Sequence, residues 1–209
     1  REVEESDTRF ISMIAIVNYN MGNLQSVANM LGFLQAPCEI TSDPLVIKQS
    51  EKIILPGVGA FGEAMKNLRG LGLVEVLREE IIDKKKPFLG ICLGMQMVAD
   101  KSFEGGEFEG LGFIHGVVQR LAPEGNLRVP HVGWNDVTAK PGTVLYGEEL
   151  KTRVFYFVHS YHFVPADDAD ASGYTDYGGK VVASIERGNI MATQFHPEKS
   201  QRDGIALLK

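Results

Sequence analysis

Gly90-Ile91-Cys92-Leu93-Gly94 sets a thiol at the centre of a G-x-Nuc-x-G pattern, after the apolar run Pro87-Phe88-Leu89 and before a stretch with helical character. That spacing marks an elbow, a sharp strand-to-helix turn that lifts a nucleophile onto the strand end. The glycines let the backbone bend tightly and come close to a substrate. The helix that follows points its N-terminus at the sulfur and favours the thiolate, the form that attacks carbonyl carbon. The chemistry expected of Cys92 is nucleophilic acyl transfer.

A cysteine nucleophile needs a general base, most often histidine. The chain has five histidines, His115, His131, His159, His162 and His196. His196 stands out, in Gln194-Phe195-His196-Pro197-Glu198. Glu198 can accept a hydrogen bond from the second ring nitrogen, fix the tautomer and favour imidazolium, which completes a Cys-His-Glu triad. Pro197 presets the backbone between the two. Without the elbow, the pair would read equally as a loop histidine bonded to a neighbouring glutamate. Zinc deaminases join His-x-Glu to a later Cys-x-x-Cys. No cysteine follows Cys92, so neither metal nor other cofactor is expected.

Acyl transfer also needs donors for the oxyanion. The backbone N–H of Leu93, directly after the nucleophile, is one. Val58, in Pro56-Gly57-Val58-Gly59, is the candidate for the other. Its flanking glycines leave the peptide free to turn its N–H inward or to flip. The plain alternative is an ordinary strand-to-helix turn.

These groups must be held by a scaffold. Short apolar runs at Met13–Asn18, Cys38–Thr41, Lys52–Leu55 and Phe88–Ile91 read as strands, the third stopped by Pro56-Gly57. Between them, Asn20-Met21-Gly22-Asn23 is a loop, and Asn23 caps a helix to about Leu34. Ala60 to about Lys85 is helical with a break at Gly70-Leu71-Gly72. Alternating strand and helix predicts an α/β fold, a mostly parallel sheet with helices on both faces. The second half is richer in strands, over Gly116–Leu121, Arg153–Val158, Tyr161–Val164, Val181–Glu186 and Ile190–Phe195. These predict antiparallel or mixed additions, and the last of them delivers His196 to a strand end. A final helix begins near Gln201.

Composition sets the limits. A chain of 209 residues with 44% hydrophobic content suits one domain over residues 13–209 with a full core. Residues 1–12 read as an extension or an expression remnant rather than a functional arm. Two cysteines, Cys38 and Cys92, exclude a disulfide scaffold and fit reduced thiols in the cytoplasm. No apolar run reaches the length of a membrane span. A net charge of -6 argues against nucleic acid or an anionic membrane as partner. Lys84-Lys85-Lys86 reads as a solvated helix C-terminus rather than a phosphate site. Cys38 is expected to be inert core, His159 and His162 to satisfy loop hydrogen bonds, and Met95 and Met97 to pack the elbow helix.

Taken together, Pro56-Gly57-Val58-Gly59, Gly90 to Gln96 and Gln194 to Glu198 resemble the class I (triad) glutamine amidotransferases. Asn18 to Asn23, Pro130-His131-Val132-Gly133-Trp134-Asn135 and Tyr156 to Tyr161 resemble, within that family, the glutaminase subunits of imidazole glycerol phosphate synthases. The resemblance runs from Met13 to Lys209. It implies a flavodoxin-like fold and hydrolysis of glutamine to glutamate and ammonia. The ammonia would pass to a (β/α)8-barrel synthase subunit of histidine biosynthesis. It also implies substrate contacts at Gly59, Gln96, Glu104, Ser160 and Tyr161, and a partner surface at Asn20, Met21, Asn23, Trp134 and Asn135. Trp134 and its neighbours are read as lying between two strands; without the resemblance, this tryptophan is as readily core. Asn18 and Asn20 depart from the family pattern, which has an acid and a glycine there. That departure touches the partner-facing loop more than the chemistry. A stand-alone cysteine hydrolase, a glutaminase serving another synthase and a non-enzymatic scaffold are the alternatives.

Overall fold

The computed structural model describes residues 13–147 and 152–209, so the extension read over 1–12 lies outside the described residues. In the first half β1 (Ile14–Val17), α1 (Leu24–Phe33), β2 (Cys38–Thr41), α2 (Pro44–Gln49), β3 (Lys52–Gly57), α3 (Phe61–Gly70), α4 (Leu73–Arg78), β4 (Phe88–Cys92) and α5 (Leu93–Met97) follow in order. A π-helical turn over Glu79–Asp83 prolongs α4. The second half adds β5 (Lys101–Ser102), β6 (Phe108–Glu109), β7 (Gly116–Arg120), β8 (His131–Ala139), β9 (Arg153–His159), β10 (Tyr161–Pro165), β11 (Ala171–Asp176), β12 (Lys180–Arg187), β13 (Ile190–Thr193) and α6 (Gln201–Leu208).

A nine-stranded sheet runs in the order β2-β1-β3-β4-β13-β12-β11-β8-β9. Its strands are parallel from β2 through β4 to β13 and antiparallel beyond. A separate four-stranded sheet, β10-β7-β5-β6, does not follow from the spacing of apolar runs. Alternate residues of a strand face opposite sides. Ala15, Val17, Ile53 and Leu55 therefore pack against Ala64, Met65 and Leu68 of α3 and Leu73 and Leu77 of α4. Ile16, Ile54 and Ile91 pack on the other side against Val27 and Leu31 of α1. Burial on both faces is why these strands read as short unbroken apolar runs. Among the described residues no helix is long and apolar enough to cross a membrane.

Several expectations need correction. Pro56 does not stop β3; the strand continues to Gly57, and Pro56 and Gly57 pair with Ile91 and Cys92 of β4. β13 ends at Thr193, two residues short of the expected Phe195. Trp134 lies inside β8, paired with Tyr156 of β9, and not between two strands. Val132 and Trp134 point outward while Gly133 and Asn135 take the more covered face, so no apolar stripe marks the strand's inner side. α2 is a further addition, although Asp43-Pro44 carries its start signal. The Asp43 carboxylate accepts from Leu45 N–H at 2.8 Å and Pro44 fills the first turn. The lysine run is solvated only in part: Lys84 and Lys85 are exposed at the helix end, whereas Lys86 is not. Lys84 and Lys86 each approach the buried Glu80 carboxylate at 2.7 Å, and the Lys86 side chain is 10% exposed.

Candidate active site

Cys92 ends β4 and begins α5, with φ 54° and ψ -105°. This positive φ is unfavourable for a residue with a Cβ, at a cost of about 1–3 kcal/mol, and persists only where packing enforces it. The neighbouring glycines show how. A Cβ on Gly94 would fall 1.8 Å from the Leu55 carbonyl oxygen, and one on Gly90 would fall 2.8 Å from that of Gly94. The elbow is thus pressed against β3 so closely that only glycine fits on either side of the thiol.

Cys92 forms part of the wall of a cleft of about 330 Å³. Val58, Gly59, Leu93, Gln96, Glu104, Ser160 and Tyr161 line the same cleft, so every residue expected to touch substrate or oxyanion reaches it. Tyr161 follows directly on the β9–β10 turn, and Glu104 comes from the loop after β5. The Glu104 carboxylate accepts from Phe61 N–H at 2.8 Å and so caps α3, whose own N-cap Ala60 offers no side-chain bond. A carboxylate at that end also matches the helix dipole.

His196 and Glu198 sit just beyond β13. His196 Nδ1 lies 2.8 Å from Glu198 Oε1, and both side chains are 3% exposed. Burial disfavours a charged ring. The hydrogen-bonding and charge influence of Cys92 and Glu198 outweighs it, and together they push His196 up to about 9. His196 Nε2 is buried with no hydrogen-bond partner among the described residues. The loop is fastened to β9: His196 N–H donates to the Tyr156 carbonyl at 2.9 Å. Ser200 Oγ donates to the His196 carbonyl at 2.5 Å and accepts from Tyr156 N–H at 3.0 Å.

Other contacts have no counterpart in the sequence reading. Gln194, fully buried, directs Nε2 at Cys92 Sγ over 3.6 Å. Its Oε1 accepts from Gln96 Nε2 at 3.0 Å, and Gln96 Nε2 also donates to the Tyr161 carbonyl at 2.9 Å. Gln96 therefore lines the cleft with its amide nitrogen already engaged. His159 ends β9 and bonds the Tyr161 carbonyl across the turn, as expected, but it also faces His131, with Nε2 and Nδ1 3.0 Å apart. His162 Nδ1, by contrast, is buried with no partner among the described residues. Gln194 and His131 both stand in recognisable motifs, but nothing local says what either would touch.

The residues expected at a partner surface divide. Trp134 is 49% exposed and Asn20 is exposed. Met21 is half-buried beneath Gly59, where an added Cβ would lie 2.6 Å from its Cε. Asn23 caps α1 by accepting from Ser26 N–H. Asn135 turns to the opposite face of β8 from Trp134. It donates there to the Asp176 carbonyl at 2.9 Å and to His131 Nε2 at 3.3 Å.

The profile of the family Glutamine amidotransferase class-I matches residues 15–208. The chain is 46% identical over 197 residues to imidazole glycerol phosphate synthase subunit HisH 1 of Campylobacter jejuni (strain RM1221), covering 94% of this chain and 98% of that protein. It is 48% identical over 196 residues to subunit HisH of Aquifex aeolicus, covering 93% of each. Among solved structures, PurLQS from Thermotoga maritima aligns with a TM-score of 0.73 at 18% identity, covering 94% of this chain and 95% of that one. The glutaminase domain of Trypanosoma brucei CTPS aligns with a TM-score of 0.60 at 17% identity, covering 94% and 91%. These distant likenesses speak for the fold.

Proposed function

The chain belongs to the class-I glutamine amidotransferases, among the HisH subunits of imidazole glycerol phosphate synthase, and on that premise we propose that it hydrolyses glutamine through Cys92, His196 and Glu198 and hands the ammonia to a synthase partner. The observation that carries this reading is the buried His196–Glu198 pair, with His196 raised to about 9 by its neighbours Cys92 and Glu198 against the cost of burial. A raised pKa keeps the His196 ring protonated, ready to act as the acid for the leaving ammonia.

Cys92 Sγ attacks the side-chain amide carbon of glutamine. The oxyanion is met by the N–H groups of Leu93 and Val58. His196 gives its proton to the amide nitrogen, the C–N bond breaks and ammonia leaves. Water, deprotonated by His196, then attacks the glutamyl thioester, releasing glutamate and restoring the thiol. Glu198 holds the ring and stabilises its charge throughout. Glu104 balances the α-ammonium of glutamine, Ser160 and Tyr161 supply backbone donors for its α-carboxylate, and Gly59 and Gln96 flank the chain between.

The partner in this reading is a (β/α)8-barrel subunit docked on the loop of Asn20, Met21 and Asn23 and on β8 at Trp134 and Asn135. The complex acts in the cytoplasm and makes imidazole glycerol phosphate and aminoimidazole carboxamide ribotide. The test is glutaminase turnover of the chain alone, with the barrel partner, and with the barrel partner in its liganded form. Stimulation by the partner supports the reading. Equal turnover in all three points to a stand-alone hydrolase, and no turnover in any removes the enzyme reading.

A further inference from the structure

Of the histidines, His159 lines the cleft and His131 stands against it. Only His196 is used above; burial and neighbouring rings push His159 down to about 3, and burial pushes His131 down to about 4. Both rings are therefore neutral near pH 7, and each neutral ring carries one donor and one acceptor nitrogen. Their tautomers follow from their partners. His159 Nδ1 lies 2.9 Å from the Tyr161 carbonyl oxygen. A carbonyl only accepts, so the proton is on His159 Nδ1 and Nε2 is the acceptor. That Nε2 lies 3.0 Å from His131 Nδ1, so His131 also carries its proton on Nδ1 and accepts at Nε2. The group facing His131 Nε2 is the Asn135 amide nitrogen, whose orientation is set independently. Its Nδ2 donates to the Asp176 carbonyl and its Oδ1 accepts from Asp136 N–H at 2.8 Å.

The hydrogen bonds thus run one way, Asn135 to His131 to His159 to the Tyr161 carbonyl. That carbonyl also receives Gln96 Nε2, which holds Gln194, which in turn donates to Cys92 Sγ. A polar line joins β8, the strand bearing Trp134 on its outer face, to the nucleophile. We propose that His131 and His159 are positioning residues that hold the Tyr161 carbonyl and Gln96 in register for glutamine, so that the state of β8 is transmitted to the cleft. This deepens, and rests on, the amidotransferase reading.

Reversal of a single donor breaks such a line, because neutral rings have no spare proton to offer. His131→Leu removes the donor while keeping bulk. His131→Asn restores an amide nitrogen near the place of Nδ1. Asn135→Asp, isosteric, replaces a donor with an acceptor and draws the His131 proton to Nε2.

The experiment measures glutamine kinetics of the complex with the barrel partner, and imidazole 15N NMR of the labelled chain. We expect KM for glutamine to rise about tenfold in His131→Leu and Asn135→Asp, as loss of a buried hydrogen bond implies, with a smaller change in kcat. His131→Asn should recover most of that loss. The NMR spectra should show protons on Nδ1 of both rings through neutral pH. Parent-like KM in both impaired variants overturns the proposal. So does His131→Asn as impaired as His131→Leu, which would leave only stacking of the ring between Phe157 and Tyr177. A proton on His159 Nε2 overturns it as well. Absence of glutamine turnover in the parent complex overturns the amidotransferase reading itself, whereas normal parent turnover with unmoved variants overturns the relay alone.

Discussion

The phenol of Tyr19 donates a buried 2.8 Å hydrogen bond to the backbone carbonyl of Pro56. It joins the loop after β1 to the end of β3, directly before the Val58 peptide. The contact is close: a Cβ on Gly57 would lie 2.1 Å from the Tyr19 hydroxyl oxygen. Tyr19→Phe leaves that carbonyl without its donor, for a loss of about 1–2 kcal/mol. We expect a lower melting temperature and a changed glutaminase rate in the isolated chain, with a smaller change once the partner is bound. Unchanged melting and rate would show that the bond does not govern this turn.

Cys92→Ala should abolish glutamine hydrolysis and leave partner affinity within a few-fold, because the thiol is 6% exposed in the cleft wall. Cys92→Gly should be equally inactive yet melt higher than Cys92→Ala, since glycine adopts φ 54° without strain. Thermal melts of the two variants decide it: equal values would mean that the elbow stores no strain.

The pH profile carries a sign. Cys92 and Glu198 raise His196 above its ordinary value against burial, so imidazolium persists at neutral pH and is lost as pH rises through about 9. The stability that this protonation contributes is complete below the ordinary histidine value and fades over the same alkaline interval. kcat/KM should fall on the alkaline side near that pH, where ammonia departure loses its acid. Glu198→Gln removes one of the two supports of the proton and should move this limb to lower pH. A limb at the same pH in both proteins would assign it to another group.

Gly94→Ala has no room. Its Cβ would sit 1.8 Å from the backbone oxygen of Leu55, a contact that no rotamer relieves. Moving a strand and the elbow apart should cost roughly 3 kcal/mol or more, seen as a fall in melting temperature together with loss of glutaminase activity. A variant of parental stability and activity would refute this packing.

Trp134→Ala should leave the fold intact, because the side chain stands half exposed on the outer face of β8 against the edge of Tyr156. Loss of an aromatic anchor typically weakens an interface by about 2 kcal/mol or more. Titration with the barrel partner should show that weakening, or ammonia release uncoupled from synthesis. Parental affinity and coupling together would remove Trp134 from the interface.

Much of the fold was legible because its parallel strands are buried on both faces and therefore stand out as short apolar runs between helices. β8 was not, because its apolar Val132 and Trp134 face outward while Gly133 and Asn135 take the covered face, and its pairing comes from β9. Glu104 was expected near the substrate by resemblance, but its hold on the first turn of α3 spans 43 residues and leaves no local trace.

By itself the sequence determined what depends on neighbours along the chain: the elbow at Cys92, the Pro197-spaced pair of His196 and Glu198, and the glycines around Val58. Backbone sterics and residue chemistry act over a few residues, so type and spacing suffice for these. Tertiary structure alone decided which groups converge. β13 lies beside β4 in the sheet, and this sets Gln194 against a thiol 102 positions earlier in the chain. The antiparallel pairing of β8 and β9 sets His131 against His159. Such contacts are made by sheet register, a cooperative property of the packed core that no short stretch of sequence contains.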